Sequence, residues 1–171
     1  MPAPRNGRGA SNGGSVTIGV KRVDHVSMAV WNIEESLKFF TQLFGWKEAG
    51  RFRNEQAGFA GVVLDVPGAE GQRQMQWEIL EPIGEDSFIA KFLRERGPGL
   101  HHVTIEVEDA DAAAGELRKR HIDPFGGPRV SWDWKEMFIH PKSSGGVLFQ
   151  LYEQLDAPGN LGGPPQPSHE D

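Results

Sequence analysis

Val23-Asp24-His25-Val26-Ser27-Met28-Ala29-Val30 and Leu100-His101-His102-Val103-Thr104-Ile105-Glu106-Val107 carry one pattern twice. Each reads apolar, polar, His, Val, hydroxyl residue, apolar, small or acidic, Val. On a strand, alternate residues share a face, so His25, Ser27 and Ala29 point one way and Val26, Met28 and Val30 the other. A histidine on an isolated strand is ordinarily a core or surface residue. Two histidines at the same point of two similar strands suggest duplicated units with matched ligands.

The residues around each copy extend the match. After the first, Asn32 followed by Glu35 has the form of a capping box, and Leu37, Phe40, Leu43 and Phe44 follow at helical spacing up to Gly45. Strands are expected over 46–53, 59–66 and 74–81, divided by Pro67-Gly68 and the Gly71 region. A connecting helix is expected over 87–96, ending at Gly97. After the second copy, a helix over 109–120 starts at Asp109 or Asp111 and places Lys119 and Arg120 near its C-terminus, where its dipole favours them. Pro124, Gly126, Gly127 and Pro128 read as a loop, and strands are expected over 129–132, 136–140 and 146–153. The fold class is therefore α+β: two tandem βαβββ modules, 20–98 with the connecting helix and 99–155, forming a curled, cleft-bearing eight-stranded sheet.

The modules also close alike. Trp77-Glu78-Ile79-Leu80-Glu81 ends the first and Phe149-Gln150-Leu151-Tyr152-Glu153 the second. The separations from His25 to Glu78 and from His102 to Gln150 are 53 and 48 residues. If the first and last strands of each module lie side by side, His25, Glu78, His102 and Gln150 converge on one point. Two imidazoles and two oxygens suit a borderline divalent ion such as Co, Ni, Mn, Fe or Zn. Such an ion would act as a Lewis acid towards an enolate or other oxyanion.

Composition narrows the function classes. A net charge of −6 over 171 residues argues against nucleic acid or an anionic membrane surface as partner. No run of about 18 apolar residues suggests a membrane span. The absence of cysteine excludes thiolate ligands, disulfides and a cysteine nucleophile. With no apolar h-region near Arg5 and Arg8, a cytoplasmic location is expected. Residues 1–19 and 156–171, rich in Gly, Pro and Ser or Asn, read as disordered tails. The edges of two open sheets predict a homodimer.

The chain resembles the vicinal oxygen chelate superfamily, which includes glyoxalase I, bleomycin-resistance proteins and extradiol dioxygenases. Within it, the chain is most similar to the methylmalonyl-CoA epimerases. The resemblance spans about 20–153. It rests on Asp24-His25-Val26, Phe39-Phe40, Phe44-Gly45-Trp46, Glu55-Gln56, Glu78-Ile79-Leu80-Glu81-Pro82-Ile83-Gly84-Glu85, Ile89-Ala90-Lys91-Phe92-Leu93, Gly99-Leu100-His101-His102-Val103 and His140-Pro141-Lys142-Ser143 through Gly145-Gly146-Val147-Leu148.

The resemblance implies a small carbonyl or acyl-CoA substrate and a metal held by His25, Glu78, His102 and the residue at Gln150. It also implies two acid/base carboxylates. One falls on Gln150. The other falls in the strand after Glu55-Gln56, which reads Ala57-Gly58-Phe59-Ala60-Gly61-Val62-Val63 with no carboxylate. A neutral amide cannot remove a proton at pH 7. Glu106, sharing a strand face with His102, is the expected substitute base, with Glu55, Asp65 or a metal-bound hydroxide as alternatives.

Lys142 and Ser143 in the polar loop, Trp132 (with Trp134) and Tyr152, which shares parity with Gln150, are expected to bind substrate. His101 is expected to face away from the cleft, and His121 and His140 to be structural. The expected activity is a metal-dependent, epimerase-like isomerase. A glyoxalase-type lyase and a non-catalytic small-molecule binding protein stand as alternatives.

Overall fold

The computed structural model describes residues 17–69, 73–131 and 133–155. The elements in order are β1 (Val20–Ala29), α1 (Ile33–Phe39) with a π-turn over Phe40–Phe44, β2 (Lys47–Asn54), β3 (Phe59–Pro67), β4 (Arg73–Pro82), α2 (Phe88–Arg96), β5 (Gly99–Val107), α3 (Ala110–Lys119), β6 (Phe125–Ser131), β7 (Trp134–Ile139), a 3-10 turn at Pro141–Ser143 and β8 (Phe149–Gln154). The strands form one mixed sheet in the order β2-β3-β4-β1-β5-β8-β7-β6. β1 pairs parallel with β4, β5 pairs parallel with β8, and β1 and β5 join antiparallel. The second half of that order is the first half reversed, so the two βαβββ modules meet across the β1–β5 seam within one chain.

Local chemistry starts each helix as its residues predict. Asn32 Oδ1 accepts from Glu35 N at 3.2 Å, Ser87 Oγ from Ala90 N at 3.1 Å and Asp109 Oδ1 from Ala112 N at 2.8 Å. Gly45 ends the first helical run in the left-handed conformation, with φ 69°. The matched module ends acquire a structural meaning here. Glu81 Oε2 accepts from Ile33 N at 2.8 Å and Glu153 Oε2 from Ala110 N at 2.9 Å. The last residue of each closing motif thus places a carboxylate on the N-terminus of its own module's helix, where unpaired N–H groups and the dipole favour it.

α1 and α3 cover one face of the sheet. Ile33, Leu37 and Phe40 pack with Val62, Leu64 and Ile79. Ala110, Ala113, Ala114 and Leu117, at the i, i+3, i+4, i+7 spacing of a helix stripe, pack with Met137, Ile139 and Leu151. α2 lies against the opposite face, where Ile89 and Leu93 meet Ala29 and Leu80. That second face holds the candidate site, and α2 forms one of its walls.

Three expectations shift. β6 begins at Phe125 rather than 129, so Gly126, Gly127 and Pro128 belong to the strand. Its backbone runs so close to β7 that a Cβ on Gly127 would lie 2.0 Å from the Glu136 carbonyl oxygen. β8 begins at Phe149 rather than 146. At the N-terminus, Ile18 packs against the α3 core and the Gly19 carbonyl accepts from Glu108 N at 2.9 Å, so these two residues are held by the fold rather than loose. The remainder of both expected tails, residues 1–16 and 156–171, lies outside the described residues, as does Trp132.

Candidate metal centre

Pairing across the sheet brings the distant residues together. His25 lies opposite Thr104, Ser27 opposite both His102 and Glu78, and Thr104 opposite Gln150. Directly opposed residues point to the same side of a sheet. The outcome is one cluster in which ligand atoms of His25, Glu78 and His102 all lie within 4.8 Å of one another. Nε2 of His25 is 3.8 Å and Nε2 of His102 is 4.0 Å from Oε2 of Glu78. The two imidazoles meet edge to face at 5.6 Å between centroids.

Two β-bulges prepare these histidines. On the β1–β5 seam the register passes from Val23↔Ile105 to His25↔Thr104, leaving Asp24 as an extra residue of β1. It also passes from Ser27↔His102 to Met28↔Leu100, leaving His101 as an extra residue of β5. A bulge turns two successive side chains towards one side of the strand. Each of these histidines is therefore flanked by its predecessor. Asp24 Oδ2 lies 2.8 Å from His25 Nδ1, and His101 Nδ1 lies 2.9 Å from His102 Nδ1. Both ligand rings have Nδ1 occupied and Nε2 turned to the cluster, the arrangement in which an outer partner sets the tautomer of a ligand. His101 accordingly does not face away, because the bulge suspends strict alternation. Its ring packs on Phe88 and Phe92.

Electrostatics differ between the two modules. Burial opposes charge on His25, but the facing Glu78 and the adjoining Asp24 outweigh it and raise its pKa. Burial, together with His25 and His101, holds His102 well below its ordinary value. Burial and then Arg96 push His101 down to about 4. His101 is thus a neutral partner at neutral pH, with a lone pair for the His102 Nδ1–H. Glu78 is 7% exposed and accepts the Ser27 hydroxyl at 2.6 Å.

Gln150 stands beside this cluster, joined to it through Thr104. Its Oε1 accepts from Thr104 Oγ1 at 2.9 Å, and the Thr104 Oγ1 also lies 2.9 Å from His25 Nε2. A divalent ion with ligand bonds of about 2.0–2.2 Å needs its donors roughly 3–4 Å apart. The spacings of His25 and His102 from Glu78, 3.8 and 4.0 Å, meet that requirement. The donors are also correct in kind: two neutral-capable imidazoles, one carboxylate and an amide oxygen.

Other candidates lie elsewhere. Glu106 is ion-paired with Lys21 and with Arg22 Nε, the latter at 2.7 Å. Burial would raise its pKa, but these cations outweigh it and lower it, which makes Glu106 a weak base held in its own network. Tyr152 is 4% exposed, accepts from Arg22 Nη2 at 3.0 Å and reaches Glu106 at 3.4 Å, so its hydroxyl belongs to that network. Burial first, then nearby acids, raise its pKa.

Glu55 is exposed and paired with Arg53, while Asp65 takes Gln76 and Arg73. His140 caps the 3-10 turn through Nδ1, as a structural residue would. A cavity of about 400 Å³ opens beside His102, bounded by Phe88, Phe92, Leu100, His101 and Leu148 among others. It touches the polar loop at Pro141 and Gly146, whereas Lys142 and Ser143 are exposed and do not line it.

The residues that reasoning on the sequence missed are Asp24, His101, Thr104 and Glu136. Asp24 and His101 stand next to the motif histidines, which is a signal. Their involvement nevertheless depends on bulges that no spacing reveals.

Residues 24–138 match the model of the Glyoxalase/Bleomycin resistance protein/Dioxygenase superfamily, and the chain belongs to that family. Its similarity runs to methylmalonyl-CoA epimerases. It is 32% identical over 133 residues to the mitochondrial methylmalonyl-CoA epimerase of Homo sapiens, covering 76% of this chain and 72% of that protein. It is 32% identical over 138 residues to the ethylmalonyl-CoA/methylmalonyl-CoA epimerase of Cereibacter sphaeroides, covering 77% and 97%. The crystal structure of the Mycobacterium tuberculosis methylmalonyl-CoA epimerase aligns with a TM-score of 0.70 at 32% identity, covering 84% of this chain and 93% of that one. A Streptomyces coelicolor methylmalonyl-CoA epimerase in complex with 2-nitronate-propionyl-CoA aligns at 0.69 and 26%, covering 81% and 100%. Among the described residues, no helix is long and apolar enough to cross a membrane.

Proposed function

We propose that this chain is a divalent-metal-dependent isomerase or lyase that polarises the carbonyl of a small acyl-CoA or related substrate. The observation that carries this reading is the convergence of His25 Nε2, His102 Nε2 and Glu78 Oε2, each with an outer partner of its own. His25, Glu78, His102 and the Gln150 oxygen would hold the ion. When bound, it supplies Lewis-acid stabilisation to negative charge developing on a carbonyl oxygen.

The remaining work belongs to the chain. Asp24 and His101 keep Nε2 of each histidine available. Phe88, Phe92 and Leu100 give the neighbouring cavity an apolar stretch suited to an acyl group, beside the charged side chains of Lys91, Glu95 and Arg96. The relatives' names, and the propionyl-CoA analogue held by the Streptomyces protein, support an acyl thioester.

Two-base epimerisation is not supported. Gln150 is neutral, and Gly61 on β3, which pairs with Leu80 on the site's face, offers no carboxylate. The ring of Phe52 occupies its place, with Cζ 2.2 Å from where a Gly61 Cβ would stand.

Purified protein loaded with Co²⁺ and incubated with methylmalonyl-CoA in D₂O tests the reading. Expected are about one bound ion per chain and α-deuterium incorporation above background that is lost in His102→Ala. Bound metal without exchange would favour the binding-protein alternative, which the apolar Phe52–Gly61 contact also fits. No bound metal in the wild type would defeat the metalloenzyme reading.

A further inference from the structure

Behind Gln150 lies a carboxylate that neither repeat motif marks. Glu136 of β7 is 6% exposed, and its Oε2 accepts a 2.7 Å hydrogen bond from Gln150 Nε2. Its Oε1 accepts from Arg129 Nε at 3.1 Å and Nη2 at 2.8 Å, so the buried charge is compensated across the β6–β7 pair.

A carboxylate ion only accepts hydrogen bonds, so the group that Gln150 turns towards it must be its NH₂. The carboxamide oxygen is thereby turned the other way, to Thr104 Oγ1 at 2.9 Å on the His25 side. The amide is a two-ended group, and only its oxygen can ligate a cation. Reversed, it would aim two N–H donors at the ion and the imidazoles.

We propose that Glu136 is a positioning residue that locks the Gln150 carboxamide with its oxygen towards the metal centre. The proposal rests on the metal reading above for its purpose. Its geometric content, a carboxylate–carboxamide pair acting as one unit, can be tested without metal. The pair also explains why Gln suits position 150 in this chain. A second carboxylate there would stand against Glu136 at hydrogen-bond distance, with no donor between them.

The test has two arms. In the first, Co²⁺ affinity is measured by calorimetry for wild type, Glu136→Gln, Glu136→Leu, Gln150→Ala and the double variant Glu136→Leu/Gln150→Ala. Glu136→Gln keeps an acceptor oxygen and should bind within about threefold of wild type. Glu136→Leu should lose about 10–100-fold, the usual range for an outer-shell partner. The double variant should lose no more than Gln150→Ala alone, because the two residues act in series. Wild-type affinity in Glu136→Leu alongside weakened binding in Gln150→Ala would overturn the proposal.

In the second arm, metal-free protein carrying Gln150→Glu should melt below wild type. Adding Glu136→Gln to it, which restores a donor–acceptor pair, should recover most of the loss. If Gln150→Glu alone is as stable as that exchanged pair, Glu136 does not hold the amide and the proposal fails. This second result stands even if wild type binds no Co²⁺, an outcome that would sink the metal reading instead.

Discussion

His101 and His102 are consecutive on β5, yet their Nδ1 atoms lie 2.9 Å apart. Neighbours on a regular strand point to opposite faces, so this contact exists only because His101 is the extra residue of a bulge. Asp24 stands in the same relation to His25 in the other module, 2.8 Å from its Nδ1. The duplication has kept the bulge and changed the chemistry of the partner. One of the two histidines is backed by a carboxylate and the other by a neutral imidazole. The pair of partners therefore delivers both Nε2 atoms while adding one negative charge rather than two.

Replacing His101 by Phe preserves an aromatic ring against Phe88 and Phe92 but removes the acceptor for the His102 Nδ1–H. The expected result is a Co²⁺ affinity about 10–100-fold weaker, with the far-UV circular dichroism unchanged. Equal affinity in the two proteins would show that His102 needs no partner.

His101 also makes the metal-free fold sensitive to acid. Its folded pKa, pushed down to about 4 by burial and then by Arg96, lies below the roughly 6.5 of an unfolded histidine. Between those values the unfolded chain binds more protons, so stability falls as the pH drops through that window. His25, whose pKa is raised, acts in the opposite sense: its contribution is full below about 6.5 and is lost as pH rises through its folded value. Comparing melting temperatures of wild type and His101→Phe at pH 7.5 and 5 reads the contribution of His101 together with its effect on His102, which is in the same direction. The variant should gain on wild type at the lower pH, and a constant difference would contradict the assignment.

A carboxylate cannot simply be returned to β3. The Gly61 Cβ position lies 2.2 Å from Phe52 Cζ, so Gly61→Glu must expel the ring. Overpacking of this kind costs about 1–3 kcal/mol. The cost of Phe52→Ala should be smaller in the Gly61→Glu background than in wild type, a coupling that a thermal-denaturation double-mutant cycle measures. Additive losses would place the ring elsewhere.

α2 holds the cavity wall from behind. Ile89 is 0% exposed, between Ala29 and Leu80, and its neighbour Phe88 faces the cavity. Ile89→Ala should cost about 2–5 kcal/mol, read as a fall in denaturation midpoint. Substrate binding should weaken through the loosened wall while Co²⁺ affinity holds, since none of the proposed ligands sits on α2.

Much of this protein was legible in its residues. The paired His-containing strands, the closing motifs, the caps at Asn32 and Asp109, and the Leu37/Phe40 spacing of α1 are local patterns that the backbone reads directly. Period-2 and period-3.6 spacing follow from strand and helix geometry alone. Convergence of His25, Glu78 and His102 followed because a repeated motif at a repeated place implies a pseudo-symmetric pair.

Only the tertiary structure decided the rest. Asp24 and His101 became partners through bulges, which insert a residue without a mark in hydrophobic spacing. Glu106 and Tyr152, which parity alone would place in the cleft, were drawn into the Arg22 network. Phe52 came to cover Gly61, and Glu136 came to face Gln150 through the register of β7 on β8. Register and burial are properties of strands far apart in the chain. They decide which carboxylate is neutralised, which amide is held and which histidine stays uncharged, and the strands carry no local record of those choices.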